Sequence, residues 1–384
     1  MQRDIFEPEH VQFRESVREF LSRHVSPFQD RWNADGIVDR SVYTEAARYG
    51  ILGFSVPEEF GGAGVNNDFR YNAVVAEECA YASAHGPAFS LQNDIIAPYL
   101  LDLTTEEQRR RWLPPFARGE LIAAVAMTEP DAGSDLQGIR THARPAQDGW
   151  ILNGAKTFIS SGIHADLVIV VARTAPEPDA KASSAFTLLA VERGMPGFDR
   201  GRKLDKIGLR SQDTAELTFN DVHVPAANVV GEVGRGFIHL MRNLPMERLS
   251  IALNAVASCR AVLDMTLDYV KSRRAFGSPI GSFQANKFEL ATYETEIDIA
   301  QVYVDRCITA LNAGTLDATG AAKAKWWTTE LQQRVVYGCQ QMFGGYGYMT
   351  EYPIAQAYLD ARIQTVYGGS TQIMKELIGR SLGL

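Results

Sequence analysis

The run Ala126-Met127-Thr128-Glu129-Pro130-Asp131-Ala132-Gly133-Ser134-Asp135 has the composition of a strand end that opens into a turn. Its small and turn-forming residues would let backbone amides approach an anionic or carbonyl-rich ligand closely. Three further runs are rich in glycine, serine, arginine or glutamine: Asn153-Gly154-Ala155-Lys156-Thr157-Phe158-Ile159-Ser160-Ser161-Gly162; Arg273-Arg274-Ala275-Phe276-Gly277, with Phe283-Gln284 shortly after; and Gln341-Met342-Phe343-Gly344-Gly345-Tyr346-Gly347-Tyr348. Read singly, they are a structural turn, a hairpin, a helix end and an interhelical turn. Familiar signatures of other chemistries are absent. There is no Gly-x-Gly-x-x-Gly, phosphate loop, Gly-x-Ser-x-Gly elbow or His-Glu-x-x-His, and no two of the seven histidines share helical ligand spacing. Metal catalysis and serine hydrolysis are therefore disfavoured, and no metal site is expected.

The elements that must position these runs change character twice. Apolar residues recur at helical spacing from about residue 8 to 118, as in Val11, Phe13, Val17, Phe20 and Leu21. From about 121 to 233 the texture is β-like. Trp150 to Gly154 reads as a strand entering a tight turn, with Lys156 to Ile159 as its return. Leu167–Val171 and Phe186–Val191 read as strands, and Ala175 to Ser184 as a surface loop. Beyond Gly236 long helical periodicities cover 245–273, 283–312 and 317–342. The pattern predicts an α+β multi-domain chain: a helical domain over 1–120, a middle β domain over 121–234 and a helical bundle over 235–384.

Composition sets outer bounds. Over 384 residues, 46% are hydrophobic and 22% charged, enough for substantial cores. A formal charge of -8, with basic residues clustering only briefly, as at Arg109-Arg110-Arg111 and Arg273-Arg274, argues against a nucleic-acid partner. The four scattered cysteines form no Cys-x-x-Cys pair and read as buried free thiols. Met1-Gln2-Arg3-Asp4 leads into a charged stretch rather than an apolar signal core, and Leu167–Ala172 is too short to span a bilayer. A cytoplasmic protein with no membrane partner is expected.

Taken together, in this order and spacing, the four runs resemble the acyl-CoA dehydrogenase family over nearly the whole chain. The resemblance implies a middle β-barrel domain flanked by an N-terminal helical domain and a C-terminal four-helix bundle. It also implies a non-covalent FAD in the cleft, and a homotetramer whose cofactor sites are completed across a subunit interface. It assigns Val125, Met127, Thr128, Gly133 and Ser134 to the wall beside the flavin, with Ser134 also near the thioester. Phe158, Ile159 and Ser160 match the segment packed on the flavin ring, although many relatives carry tryptophan where Phe158 stands. Arg273, Phe276 and Gln284 match contacts to the FAD of a neighbouring subunit, where a guanidinium suits two phosphate oxygens. Gln341, Gly345, Ser370 and Gln372 match the remaining cofactor contacts.

One departure bears on mechanism. Most of the family carries glutamate directly after the tyrosine of the last motif, Tyr367-Gly368-Gly369-Ser370-Thr371-Gln372, and here that position is Gly368. Removing the α-proton of a thioester requires a base. The resemblance supplies one in Leu244-Pro245-Met246-Glu247-Arg248-Leu249, which reads as the opening of a long helix and matches where the long-chain and isovaleryl types hold theirs. A glutamate in a first helical turn also suits the helix dipole, which is the plain structural alternative. Catalytic Glu247 is expected, with the Gly368 N–H hydrogen-bonding the thioester carbonyl, and Arg248, Gly369 and Ser134 near the substrate. The expected reaction is FAD-dependent α,β-dehydrogenation of an acyl-CoA, with electron-transferring flavoprotein as acceptor. The alternatives are the same reaction on an acyl-carrier-protein thioester, or a flavin oxidase or monooxygenase of the same fold.

Overall fold

The computed structural model describes residues 3–65, 67–175, 177 and 180–384. Helices α1 (Pro8–His24), α2 (Gln29–Asp35), α3 (Ser41–Arg48), α4 (Arg70–Tyr81), α5 (Ala97–Asp102) and α6 (Glu106–Ala117) form the N-terminal layer. Their ends follow local chemistry. Pro8 opens α1, Gly36 closes α2 at φ 70°, and Thr105 with Gln108 forms a reciprocal cap on α6. The apolar faces converge on Val17, Phe20, Trp32, Tyr43 and Val74. A π-helical stretch, Leu91–Ile96, leads into α5.

The middle of the chain is a mixed sheet of β1 (Ala123–Ala126), β2 (His142–Ala146), β3 (Gly149–Ser160), β4 (Leu167–Arg173), β5 (Phe186–Glu192), β6 (Phe198–Lys203), β7 (Thr214–Pro225) and β8 (Val229–Val230). The paired order is β6-β7-β3-β2-β4-β5-β8, with β1 beside β4. Phe198 on β6 and Val191 on β5 lie well apart along that path, yet they share one core with Leu152, Val168 and Leu217. The sheet therefore wraps around its own interior. The other face of β4 and β5, through Ile169 and Leu188, packs with Tyr99, Trp112 and Phe116 of α5 and α6. Burial on both faces explains why these two strands read as unbroken apolar runs.

Two expectations need correction here. Trp150 to Ile159 is not a hairpin: β3 runs straight through, pairing with β7 on one side, and Gly154 marks a bulge. Gly154 has φ 145° and a Cβ there would overlap Thr141, so glycine serves close approach of strands rather than reversal. The loop expected over 175–184 ends in a short helix, α7 (Ala182–Ala185), while positions 176, 178 and 179 of it lie outside the described residues.

The C-terminal part consists of α8 (Gly236–Ser272), the short ribbon β9 (Arg274–Ala275) and β10 (Ser278–Pro279), then α9 (Gln284–Asn312), α10 (Ala318–Met342), α11 (Pro353–Ala361) and α12 (Thr371–Ser381). Helix α10 packs on α8, α9, α11 and α12, and α8 also packs on α4. Leu249, Leu253, Val256, Ile297, Val304, Leu331 and Val335 fill this core. By length and composition α8 could cross a membrane, but 78% of its apolar window is buried in protein, as in a core helix. All four cysteines are buried and free.

Candidate active site

Glu247 does not open α8. The helix begins at Gly236, so Glu247 lies about three turns inside it. Pro245 occupies the helix interior, where it leaves the Met241 carbonyl without its usual partner; that proline is what made residue 244 resemble a helix start. The helix-dipole account of Glu247 falls with this placement, because that effect fades beyond the first turn. The side chain is 4% exposed. Tyr99 Oη, from α5, donates to Glu247 Oε1 at 3.2 Å. Burial pushes the carboxyl up to about 7, against the opposing effects of the Tyr99 hydrogen bond and the Arg248 charge. Such a group exchanges protons near neutrality.

Glu247 lines a cavity of about 210 Å³ together with Val125, Met127, Ser160, Ile251, Tyr367 and Gly368. Helix α8, strands β1 and β3 and the turn before α12 thus meet around one space. The turn is tightly seated. Gly368 and Gly369 have φ of 63° and 97°, and a Cβ at Gly368 would lie 2.2 Å from Ile251 Cδ1, one turn along α8 from Glu247. Among the described residues, no hydrogen bond of normal geometry takes up the Gly368 N–H, whereas the carbonyls of this turn are engaged. Arg248 Nε approaches Gly368 O at 3.5 Å, and Lys325 Nζ donates to Gly369 O at 2.7 Å. A free N–H and a buried carboxyl on one cavity are the two groups needed to bind a carbonyl and remove a proton beside it.

The opposite wall is built by clamping β1 to β3. Lys156 Nζ, 1% exposed as a residue, donates to Met127 O at 3.0 Å and to Glu129 Oε1 at 2.8 Å. The Thr157 N–H donates to Thr128 O at 2.9 Å, and Glu129 accepts from the Arg140 and Thr141 N–H groups. Phe158 is 67% exposed at φ 59° and lines a second, apolar cavity of about 310 Å³ with Ile207, Ile363, Val366 and Tyr367. Ser160 borders both cavities. An exposed aromatic held in a costly backbone conformation beside an apolar space fits a planar, conjugated ligand such as a flavin ring. Ile159 points away into the sheet interior, and Gly133 and Ser134 lie on an exposed loop that lines neither cavity.

The remaining expected cofactor residues are not gathered with these. Arg273, Gln341 and Gly345 line a separate open cavity of about 420 Å³, and Arg273 lies over the Tyr346 ring. Phe276, 97% exposed at φ 51°, and the exposed Gln284 stand beside it on the β9–β10 ribbon and the start of α9. Ser370 and Gln372 line a further recess with Glu330 and Arg362, and Arg362 also borders the Phe158 cavity.

Several residues of the site were invisible to sequence reading. Tyr99 sits in an apolar run and meets Glu247 only through the fold. Asp94 is buried in the π-helical stretch, accepts from Asn72 Nδ2 at 2.6 Å and from Ser250 Oγ, and is pushed by burial up to about 7. Ser250 also faces the Glu247 cavity. The one available signal was a charged residue inside the otherwise uncharged run Leu91-Gln92-Asn93-Asp94-Ile95-Ile96.

The chain matches the acyl-CoA dehydrogenase N-terminal domain over residues 7–120, the middle domain over 124–222 and the C-terminal domain over 234–383. It is similar to the mitochondrial long-chain specific acyl-CoA dehydrogenase of Rattus norvegicus, 46% identical over 380 residues, covering 99% of this chain and 88% of that one. Among solved structures it is similar to an acyl-CoA dehydrogenase from Geobacillus kaustophilus (44% identity, TM-score 0.96, 99% of each chain covered). The butyryl-CoA dehydrogenase of Megasphaera elsdenii is 32% identical, with TM-score 0.93 and all of both chains covered.

Proposed function

Because the chain belongs to the acyl-CoA dehydrogenase family of FAD-dependent oxidoreductases, we propose that it converts an acyl-CoA to its trans-2-enoyl thioester with Glu247 as the base. The observation that carries this reading is the shared cavity of Glu247 and Gly368. The thioester carbonyl takes the Gly368 N–H, whose lack of an internal partner leaves it ready to stabilise charge on that oxygen. Glu247, one turn of α8 away from the residue that packs on Gly368, then removes the α-proton. Substrate fills the cavity and excludes water, which brings the carboxyl closer in basicity to the acidified α-carbon. FAD, when bound, would supply the hydride acceptor for the β-hydrogen. Val125, Met127 and Ser160 would border its ring system on one side, with Phe158 at the edge. Arg273, Gln341 and Gly345 would serve the pyrophosphate of a cofactor shared with a second copy of the chain, which explains why they stand open and apart. Electron-transferring flavoprotein is the proposed acceptor.

The substrate is proposed to be a medium or long acyl chain. The relatives of 46–47% identity are long-chain specific enzymes, which supports this reading. Anaerobic titration with acyl-CoAs of graded length, followed by flavin absorbance, tests the whole reading. Bleaching by long and not by short or branched thioesters is expected. Flavin that stays oxidised with every acyl-CoA would overturn it.

A further inference from the structure

Two cations lie buried behind the Gly368–Gly369 turn, and among the described residues neither has a carboxylate within ion-pairing distance. Lys325 on α10 is 0% exposed, and its ammonium reaches the turn through the Gly369 carbonyl. Arg248 on α8 approaches the preceding carbonyl, that of Gly368, more loosely. Burying a cation with no carboxylate in contact is costly, and only longer-range charges, Glu247 on Arg248 and Glu330 on Lys325, offset it here. Around Lys325 the helix is otherwise lined with Ala321, Ala322, Ala324, Thr328 and Thr329, all buried, so an apolar side chain would pack there without that penalty. The charge is held where the reaction generates the opposite one. Beside this turn, loss of the α-proton places negative charge on the thioester oxygen at the Gly368 N–H.

We propose that Lys325 is a positioning residue for the reaction: it locks the Gly368–Gly369 turn through the Gly369 carbonyl and, with Arg248, supplies the positive potential that favours the enolate-like form of the bound thioester. The proposal rests on the assignment of Glu247 and the Gly368 N–H made above. The chemistry is balanced within the site, since the α-carbon proton goes to Glu247 and its electron pair spreads onto the thioester oxygen. Burial depresses the Lys325 ammonium to about 8, with the neighbouring Arg248 charge adding to the effect and the Glu330 carboxylate opposing it. It remains largely charged at neutral pH.

The test uses the FAD-loaded enzyme and a 3-oxoacyl-CoA, which loses its C2 proton but is not dehydrogenated. The pH at which the bound ligand becomes enolate is read from its absorbance in the wild type, Lys325→Met, Lys325→Gln and Lys325→Arg. Loss of the charge should raise that pH by about one unit, a tenfold loss of enolate at fixed pH. kcat for acyl-CoA should fall in parallel while KM changes little, and Lys325→Arg should recover most of both. If Lys325→Met does not fold, Lys325→Gln carries the same reading, because its amide keeps a donor without the charge. An unchanged enolate pH in a folded, FAD-replete variant overturns the proposal. A wild type that neither forms the enolate nor bleaches with any acyl-CoA overturns instead the assignment beneath it.

Discussion

The hydroxyl of Tyr99 donates to Oε1 of Glu247 at 3.2 Å, with both side chains shut away from water. A donor to the ionised carboxylate favours that form, so this bond restrains the rise that burial imposes. Tyr99→Phe should therefore move the acidic limb of the kcat/KM profile to higher pH by a fraction of a unit. Activity would fall at pH 6 and be nearly unchanged at pH 9. A profile that coincides with the wild type would show that the hydroxyl does not act on the base.

Glu247→Gln should lower α,β-dehydrogenation by at least about 10²–10⁴-fold while FAD remains bound. It should also change how stability follows pH. The native carboxyl holds its proton to about pH 7, against an ordinary value of 4.5. A raised native value stabilises the fold below the unfolded value, and that contribution is lost as pH rises through the native one. The wild type thus loses up to about 3 kcal/mol between pH 4.5 and pH 7 through this group, and the glutamine variant does not. Melting curves at pH 4.5 and pH 8 should show the variant gaining on the wild type only at the higher pH.

Gly368 is required by its backbone as much as by its N–H. Alanine at φ 63° costs about 1–2 kcal/mol, and its Cβ must displace Ile251 Cδ1. Ile251→Val removes that atom. The two substitutions should therefore couple, with the double variant more stable than the sum of the singles predicts. Strict additivity of the melting shifts would contradict the packing described.

Lys156→Met leaves Glu129 buried without its cation, which should cost about 3–5 kcal/mol. Adding Glu129→Gln should restore part of it. Thermal unfolding of the two singles and the double variant measures this, and a Lys156→Met protein as stable as the wild type would refute the clamp between β1 and β3.

Arg273→Ala should weaken FAD binding by roughly ten- to a hundred-fold, the equivalent of about 1.5–3 kcal/mol for a charge-assisted hydrogen bond. Flavin fluorescence on titration of the apoprotein reads this directly. Unchanged affinity would remove Arg273 from the cofactor site.

Much of the layout was legible because long helices advertise themselves. The periodicities over 283–312 and 317–342 fall within a residue of α9 and α10. The start of α8 was not legible, since Pro245 is a natural first residue of a helix and only tertiary packing carries the helix through it. Asn153-Gly154 misled in the same way: a dipeptide typical of tight turns here serves a bulge demanded by Thr141. That Glu247 and Gly368 would share one site was implied by the family resemblance, and they line one cavity. The partners that set the glutamate's chemistry could not be read from the chain. Tyr99 lies far from it in sequence, and Lys325, flanked by alanine and tryptophan, reads as an ordinary surface lysine until α10 is seen packed on α8.

The position of Glu247 deep within α8 also bears on the order in which the protein comes apart. Its backbone amide belongs to the most buried helix of the C-terminal core, so it should exchange with deuterium only through openings close to global unfolding. The ribbon carrying Phe276 and the loop carrying Ser134 are exposed and should exchange through small local openings. On heating, these exposed segments would loosen first, and Glu247 would keep its place until the fold itself gives way.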